Sequence, residues 1–426
     1  MMRGDRVRAA RNRGRSRMTR ISRRRFTAAA TVAGAAPSLI GTARAQARTI
    51  TFGGSIPLSG RAAETGLNVH AGYQAAVKAV NDKGGVEIAG QKYLLDLKMF
   101  DDASDPTRAT TLIQQQIDQG VDFFLGSFGS NIVLPAAAIT ERARKPMVQA
   151  GGGSDQIFTK GYRYVFGFFP RASQQFISSV AYFKTITPRP QSFSVIFTND
   201  AFSRTQADGA IADMQAAGFQ LMDRYQLPET ITDVSSVLNA LRAKTPDMVI
   251  CTTHDQNSLL ISRQMAATDT NVKLLYQTLG PQLQSYRDAL GRFANSILVQ
   301  IYWDERANYK DAVFGSAKGF ADYYRSINPR PLAYHTAAGA ACIVVYLQAM
   351  QTAGSIAPAA VREALAATDV ETLYGRVKFT KDGDGDPILL GPRIGQVQKG
   401  NVEIVFPLEA ASAQTVYPAP KWSDRS

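Results

Sequence analysis

Two Gly/Ser turns carry the residue types best suited to holding a small polar ligand, Ser127-Phe128-Gly129-Ser130-Asn131 and Gly151-Gly152-Gly153-Ser154. Each follows a short apolar run, VDFFLG at 121–126 and PMVQA at 146–150, and a helical pattern (Ile132, Ala136, Ile139, Thr140) separates them. Ser130 thus stands at a helix start, where unpaired N–H groups and the helix dipole favour an anion such as a carboxylate. Gly151, Gly152 and Gly153 have no side chains, so a ligand can touch their backbone. Neither turn fits G-x-S-x-G, and no G-x-G-x-x-G is present, which leaves a serine nucleophile and a dinucleotide without support.

Catalytic and metal chemistry find little else. His70, His254 and His335 are far apart and form no H-E-x-x-H or other compact metal spacing. Cys251 and Cys342 sit in apolar segments and read as small buried thiols rather than a pair. The string Asp382-Gly383-Asp384-Gly385-Asp386 invites a calcium loop, but Pro387 follows it and Arg393 stands where the final Glu belongs. Turn chemistry is the better reading. Asp101, Asp102 and Asp105 precede Pro106 and are placed to cap the next helix. The pattern argues for binding rather than catalysis, with no cofactor and no metal.

These residues need elements to position them. RTITFGGSI is a strand, helices are expected over Ala71–Asn81 and Pro106–Gln119, and KYLLDLKMF is a strand between them. The order βαβαβαβ predicts a doubly wound parallel sheet, whose ligands gather at the carboxyl ends of the strands. A second α/β set begins near Phe169 with the strands SFSVIFT, DMVICT and KLLYQ. A helix capped by Thr232 or Asp233 lies between the first two of these. The fold class is therefore α/β, with two Rossmann-like doubly wound lobes whose loops face one cleft.

Residues 1–47 stand apart. They hold twelve Arg and one Asp, then Ser22-Arg23-Arg24-Arg25-Phe26, an uncharged stretch and two overlapping A-x-A sites. That is the pattern of a twin-arginine signal peptide, which implies export to the periplasm. The net charge of +13 belongs mostly to it, because the remainder holds 36 basic and 34 acidic residues. Near-neutrality gives no reason to expect nucleic-acid or membrane-surface partners.

The remainder resembles the periplasmic leucine/isoleucine/valine-binding proteins, receptors of branched-chain amino-acid ABC importers. The resemblance rests on PLSGRAAETG (57–66), AVNDKGGV (79–86), FDDASDP (100–106), LGSFGS (125–130), QAGGGSD (149–155), GYRYVF (161–166) and YGRVKF (374–379), in this order. It implies a type I periplasmic binding fold with three crossings, at Phe166–Pro170, Val299–Tyr302 and roughly Pro387–Gly395. One lobe is then 48–168 with 303–386, and the other 169–302 with 387–426. It also implies capture of a small amino acid or related carboxylate or amide by hinge closure, delivery to ABC permease subunits, and a monomer.

Residue by residue, the resemblance places the carboxylate-binding serine at Ser130 and further contacts at Gly151, Gly153 and Ser154. The first-lobe aromatic lid falls at Thr65, the second-lobe aromatic at Phe202, and another at His254 or Asp255. The acid that pairs with the ligand ammonium falls at Thr278, and Asp255 is the candidate to replace it, which would keep the ligand an α-amino acid. In the alternative nothing replaces it, and an acid or amide lies against Phe202 and His254. The family's first-lobe disulfide falls at Ser104 and Gly129 and is lost. Two other functions compete: a ligand-sensing receptor domain of the same fold, and an exported hydrolase using Ser130 or Ser154.

Overall fold

The computed structural model describes residues 48–426, so the signal-peptide reading of residues 1–47 lies outside the described residues. The first α/β set runs β1 (Arg48–Ile56), α1 (Ala63–Asp82), β2 (Val86–Ile88), β3 (Gln91–Asp101), α2 (Pro106–Asp118), β4 (Phe123–Leu125), α3 (Ser130–Arg142), β5 (Met147–Gln149), α4 (Asp155–Phe158) and β6 (Val165–Gly167). The second runs α5 (Ile177–Thr185), β7 (Ser192–Thr198), α6 (Ala201–Ala216), β8 (Gln220–Leu227), α7 (Ser235–Lys244), β9 (Met248–Thr252), α8 (Asp255–Ala267), β10 (Leu274–Gln277), α9 (Gln284–Leu290) and β11 (Leu298–Ile301). After two short strands, β12 (Lys310–Asp311) and β13 (Gly315–Ser316), come α10 (Ala317–Ile327), α11 (Tyr334–Ala353) and α12 (Pro358–Ala366). The hairpins β14 (Asp369–Thr372) with β15 (Gly375–Lys378), and β16 (Arg393–Gln398) with β17 (Asn401–Phe406), complete the chain.

Two sheets result. The first has the order β2-β3-β1-β4-β5-β6 and is parallel except for β2 against β3. The second has the order β17-β16-β11-β10-β9-β7-β8, with β16 and β17 as an antiparallel edge. Phe123, Phe124 and Leu125 are all buried, as are all five residues of β9. Continuous burial of this kind marks strands covered by helices on both faces. Chain order reverses around β1 and β4 in one sheet and around β7 and β9 in the other, and such switch points open crevices at the strand ends.

Local chemistry sets the element boundaries. Asp105 caps α2 by accepting from the Arg108 N–H at 2.8 Å, with Pro106 in the first turn, as its sequence implies. Asp200 caps α6 through the N–H groups of Phe202 and Ser203. α7 differs from expectation. Val234 is its N-cap, and Asp233 accepts from Ser235 just outside the helix. α1 begins eight residues before the expected Ala71, because Gly66 belongs inside it. A Cβ at Gly66 would sit 2.1 Å from the Pro57 carbonyl, so this glycine lets the first turn close on the end of β1.

α11 is long and apolar enough to cross a membrane, yet it packs on α1 as the core helix of the first sheet's face. Ala337, Ala341, Val344 and Tyr346 are fully buried there, and the Tyr346 hydroxyl donates to the carbonyls of Phe124 and Pro146. Cys251 and Cys342 are free and buried, matching the thiol reading. The chain leaves the first sheet after β6, returns to its core with α10–α12, and leaves again before β16.

Candidate functional site

The loops at the two switch points face one another. Phe128 follows β4, Gly151 and Gly153 follow β5, Phe202 follows β7, and His254 follows β9. With Phe169, Gln175, Tyr302 and the start of α11 (Tyr334, His335) they line a small chamber between the facing loops. An adjoining vestibule is lined among others by Arg61, Thr65, Asn131, Glu229 and Asp255. Thr65 Oγ1 donates to Asp255 Oδ2 at 2.8 Å, Arg61 pairs with Glu229, and Ser285 donates to Glu64, so the lobes meet across the vestibule.

The Gly/Ser loops hold each other in place. Ser130 Oγ accepts the N–H groups of Gly153 at 3.1 Å and Ser154 at 3.0 Å. Gln149 Oε1 takes those of Gly151 at 2.9 Å and Gly152 at 2.6 Å. A Cβ at Gly151 would lie 2.1 Å from the Ser127 carbonyl, so this glycine is needed for the two loops to touch. The glycine amides, expected to face a ligand, are thus taken by the protein, because side chains from the neighbouring elements reach them first. Ser130 is 2% exposed and braces the loop. Ser130→Ala leaves two buried donors without their acceptor and is expected to cost about 1–3 kcal/mol of stability. Urea denaturation measures it, and a loss under 0.5 kcal/mol would remove the bracing role.

The remaining sequence candidates divide. Phe202 and His254 line the chamber, their ring centroids 5.7 Å apart. Ser154 is fully buried, its hydroxyl 3.4 Å from Thr205 Oγ1 of α6. Thr65 lies in the first turn of α1 rather than in a loop, and it contacts Asp255. Thr278 is fully buried behind the site, with its N–H and hydroxyl both donated to the Cys251 carbonyl. It lines neither the chamber nor the vestibule, because the end of β10 turns it inward. Ser104 and Gly129 both line the vestibule.

Electrostatics centre on two histidines. Burial pulls the His254 pKa down, but Asp200, 3.3 Å from Nε2, more than offsets this and leaves it raised. Asp200 itself is held well below the usual carboxylate range: burial opposes this, but His254, the Ser203 N–H and Thr198 outweigh it. Burial pushes Asp255 up, since only Thr65 pairs with it and Oδ1 has no partner. His335 is pushed down to about 3 by burial and the nearby His254, so its ring is neutral. Among the described residues no group of His, Cys, Asp and Glu could hold a metal ion.

Sequence reasoning missed Phe128, Phe169, Gln175, Tyr302, Tyr334 and His335. Phe128 had a signal, since it lies inside the turn that holds Ser130. The others come from the crossings and from the start of α11, which only folding brings to the cleft.

Two doubly wound lobes with a chamber at facing switch points make the two-lobe architecture of a type I periplasmic binding fold. The chain belongs to the periplasmic binding protein family, whose model matches residues 49–400. Leu/Ile/Val-binding protein homolog 8 of Brucella abortus is 25% identical over 381 residues, covering 86% of this chain and 92% of that protein. The fold is similar to that of the branched-chain amino acid transporter substrate-binding protein LivJ of Streptococcus pneumoniae, in complex with isoleucine. That likeness has a TM-score of 0.72 at 19% identity, covering 87% of this chain and 100% of the other. A solute-binding protein of an R. palustris ABC transporter, in complex with benzoate, has a TM-score of 0.71 at 16% identity, covering 87% and 98%.

Proposed function

We propose that this protein is the exported receptor of an ABC importer, closing its lobes on a small organic acid with an aromatic or compact apolar body and handing it to the permease. The lobes are 48–168 with 303–386 and 169–302 with 387–426, and export runs by the twin-arginine route. One observation carries the ligand class. Phe128, Phe169, Phe202, Tyr302 and Tyr334 line the chamber, and no Asp or Glu does. An α-amino acid there would bury an ammonium without a counter-charge, which is costly. Asp255, the candidate replacement, lines the vestibule, where Thr65 takes one of its two carboxylate oxygens. This favours the reading without an ammonium partner over the amino-acid reading. The benzoate-bound relative supports the same class, and the isoleucine-bound one is the competing precedent.

Thermal shift and calorimetry with benzoate, phenylacetate, leucine, isoleucine and valine test the proposal. The aromatic acids are expected to stabilise the fold, by about 2.7 kcal/mol at a hundredfold excess over Kd. Leucine, isoleucine and valine are expected to do little, and Asp255→Asn to leave aromatic-acid affinity within about threefold. Tight leucine binding that Asp255→Asn abolishes would restore the amino-acid reading.

A further inference from the structure

We propose that His335 is the polar anchor of the chamber, its ring N–H donating to the carboxylate of the captured ligand. The inference rests on the chamber being the ligand site and deepens that reading by naming the group that holds the ligand's head.

His335 lies in the first turn of α11, a helix of 20 residues whose N-cap, Ala333, supplies no side-chain capping bond. No acidic residue occupies that turn, where the helix start carries a partial positive charge. A helix start alone is common. The second observation is the imidazole itself. His335 is 2% exposed and lines the chamber, yet its Nδ1 has no hydrogen-bond partner among the described residues. Buried polar atoms are nearly always paired, so an unpaired ring nitrogen on a residue that lines the chamber points to a ligand as the partner.

The ring is also fixed. Tyr334 packs over it with centroids 3.8 Å apart, and Phe128 meets it edge-on at 5.2 Å and 90°. It is therefore packed in place on the chamber's lining. Held neutral by burial, it offers one N–H donor and one acceptor nitrogen. His254 also packs against Phe128, 6.2 Å between centroids, and its bond to Asp200 favours its protonated form. The division of labour follows: His254 contributes positive charge, and His335 a directional donor. The aromatic walls take the apolar body.

The test uses the full exported protein and calorimetry with benzoate. His335→Phe keeps a planar ring of similar size and removes both nitrogens. Benzoate affinity is expected to fall about ten- to a hundredfold, the loss of one hydrogen bond to a charged group. The unliganded melting temperature should hold or rise, because an orphaned polar atom is removed. His335→Gln, which restores an N–H donor, should recover part of the affinity and serves if the Phe variant does not fold. In the wild type benzoate should bind better than benzamide, and that preference should shrink in His335→Phe. Benzoate binding to His335→Phe at wild-type affinity overturns the anchor while leaving the ligand class intact. Should the wild type bind leucine and not benzoate, the ligand class fails. The same variants titrated with leucine, which also carries a carboxylate, then decide the anchor by the same criterion.

Discussion

Replacing Arg171 by Met is expected to lower the stability of the folded protein by about 3–5 kcal/mol, the usual cost of breaking a buried ion pair at one partner. The guanidinium forks onto Asp384, with Nε 3.0 Å from Oδ2 and Nη2 2.8 Å from Oδ1, and Nη2 also lies 2.9 Å from Asp382 Oδ2. Asp384 has no solvent-exposed side-chain surface, and the Arg171 side chain is 15% exposed. Removing the cation leaves the Asp384 carboxylate buried with Thr380 as its remaining side-chain partner. Asp382 is 40% exposed and adds little, because water screens it. The pair also joins two segments distant in sequence: the Gly167 N–H donates to the Gly383 carbonyl at 2.8 Å, and the Gly385 N–H to that of Phe169 at 3.1 Å. Urea denaturation of Arg171→Met and of Arg171→Met with Asp384→Leu measures the effect. The double variant should recover much of the loss, since an apolar pair avoids the unpaired charge. A single-variant loss below 1 kcal/mol would show that the carboxylate is hydrated and the clamp is not buried.

That clamp marks where the sequence stops being legible. The Asp382–Asp386 string was read as turn chemistry, and the turn is real: the Gly383 N–H donates to the Thr380 carbonyl. Its other role needs Arg171, more than two hundred positions earlier, and nothing local announces a partner at that distance. The strands and most helices were legible because burial on two faces or one leaves a periodic record. The early start of α1 was not, because Gly66 reads as a helix breaker until its close approach to Pro57 is known. The site divides in the same way. Phe202 and His254 follow strands, so the rule for strand ends reaches them. His335 heads an apolar helix, and only the crossing of that helix over the first sheet brings it to the chamber that His254 also lines. Thr278 and Asp255 were placed by resemblance, and their surroundings have changed: one faces the Cys251 carbonyl and the other Thr65.

The crossing that delivers His335 can itself be perturbed. Gly72→Ala is expected to destabilise the protein by about 1–3 kcal/mol and to weaken ligand binding beyond what the lost stability explains. α1 and α11 touch backbone to backbone here. A Cβ at Gly72 would fall 2.0 Å from the Thr336 carbonyl oxygen, and one at Gly339 would fall 2.5 Å from that of Val69. Neither obstacle is a side chain that could swing aside, so the helices must separate. Alanine's better helix propensity, worth up to about 1 kcal/mol over glycine, opposes the loss without cancelling it. Thr336 directly follows His335, so moving α11 away from α1 moves Tyr334 and His335 against Phe128. A carboxylate held by a directional hydrogen bond is sensitive to such a shift, whereas an apolar body in a yielding pocket is less so. Gly72→Ala should therefore lose more affinity for benzoate than for benzamide, measured by calorimetry at a temperature where the variant remains folded. Gly339→Ala, on the other helix of the same contact, should act in the same direction. If both variants unfold earlier in urea yet bind benzoate as tightly as the wild type, the crossing supports the core alone and does not set the position of the chamber's polar end.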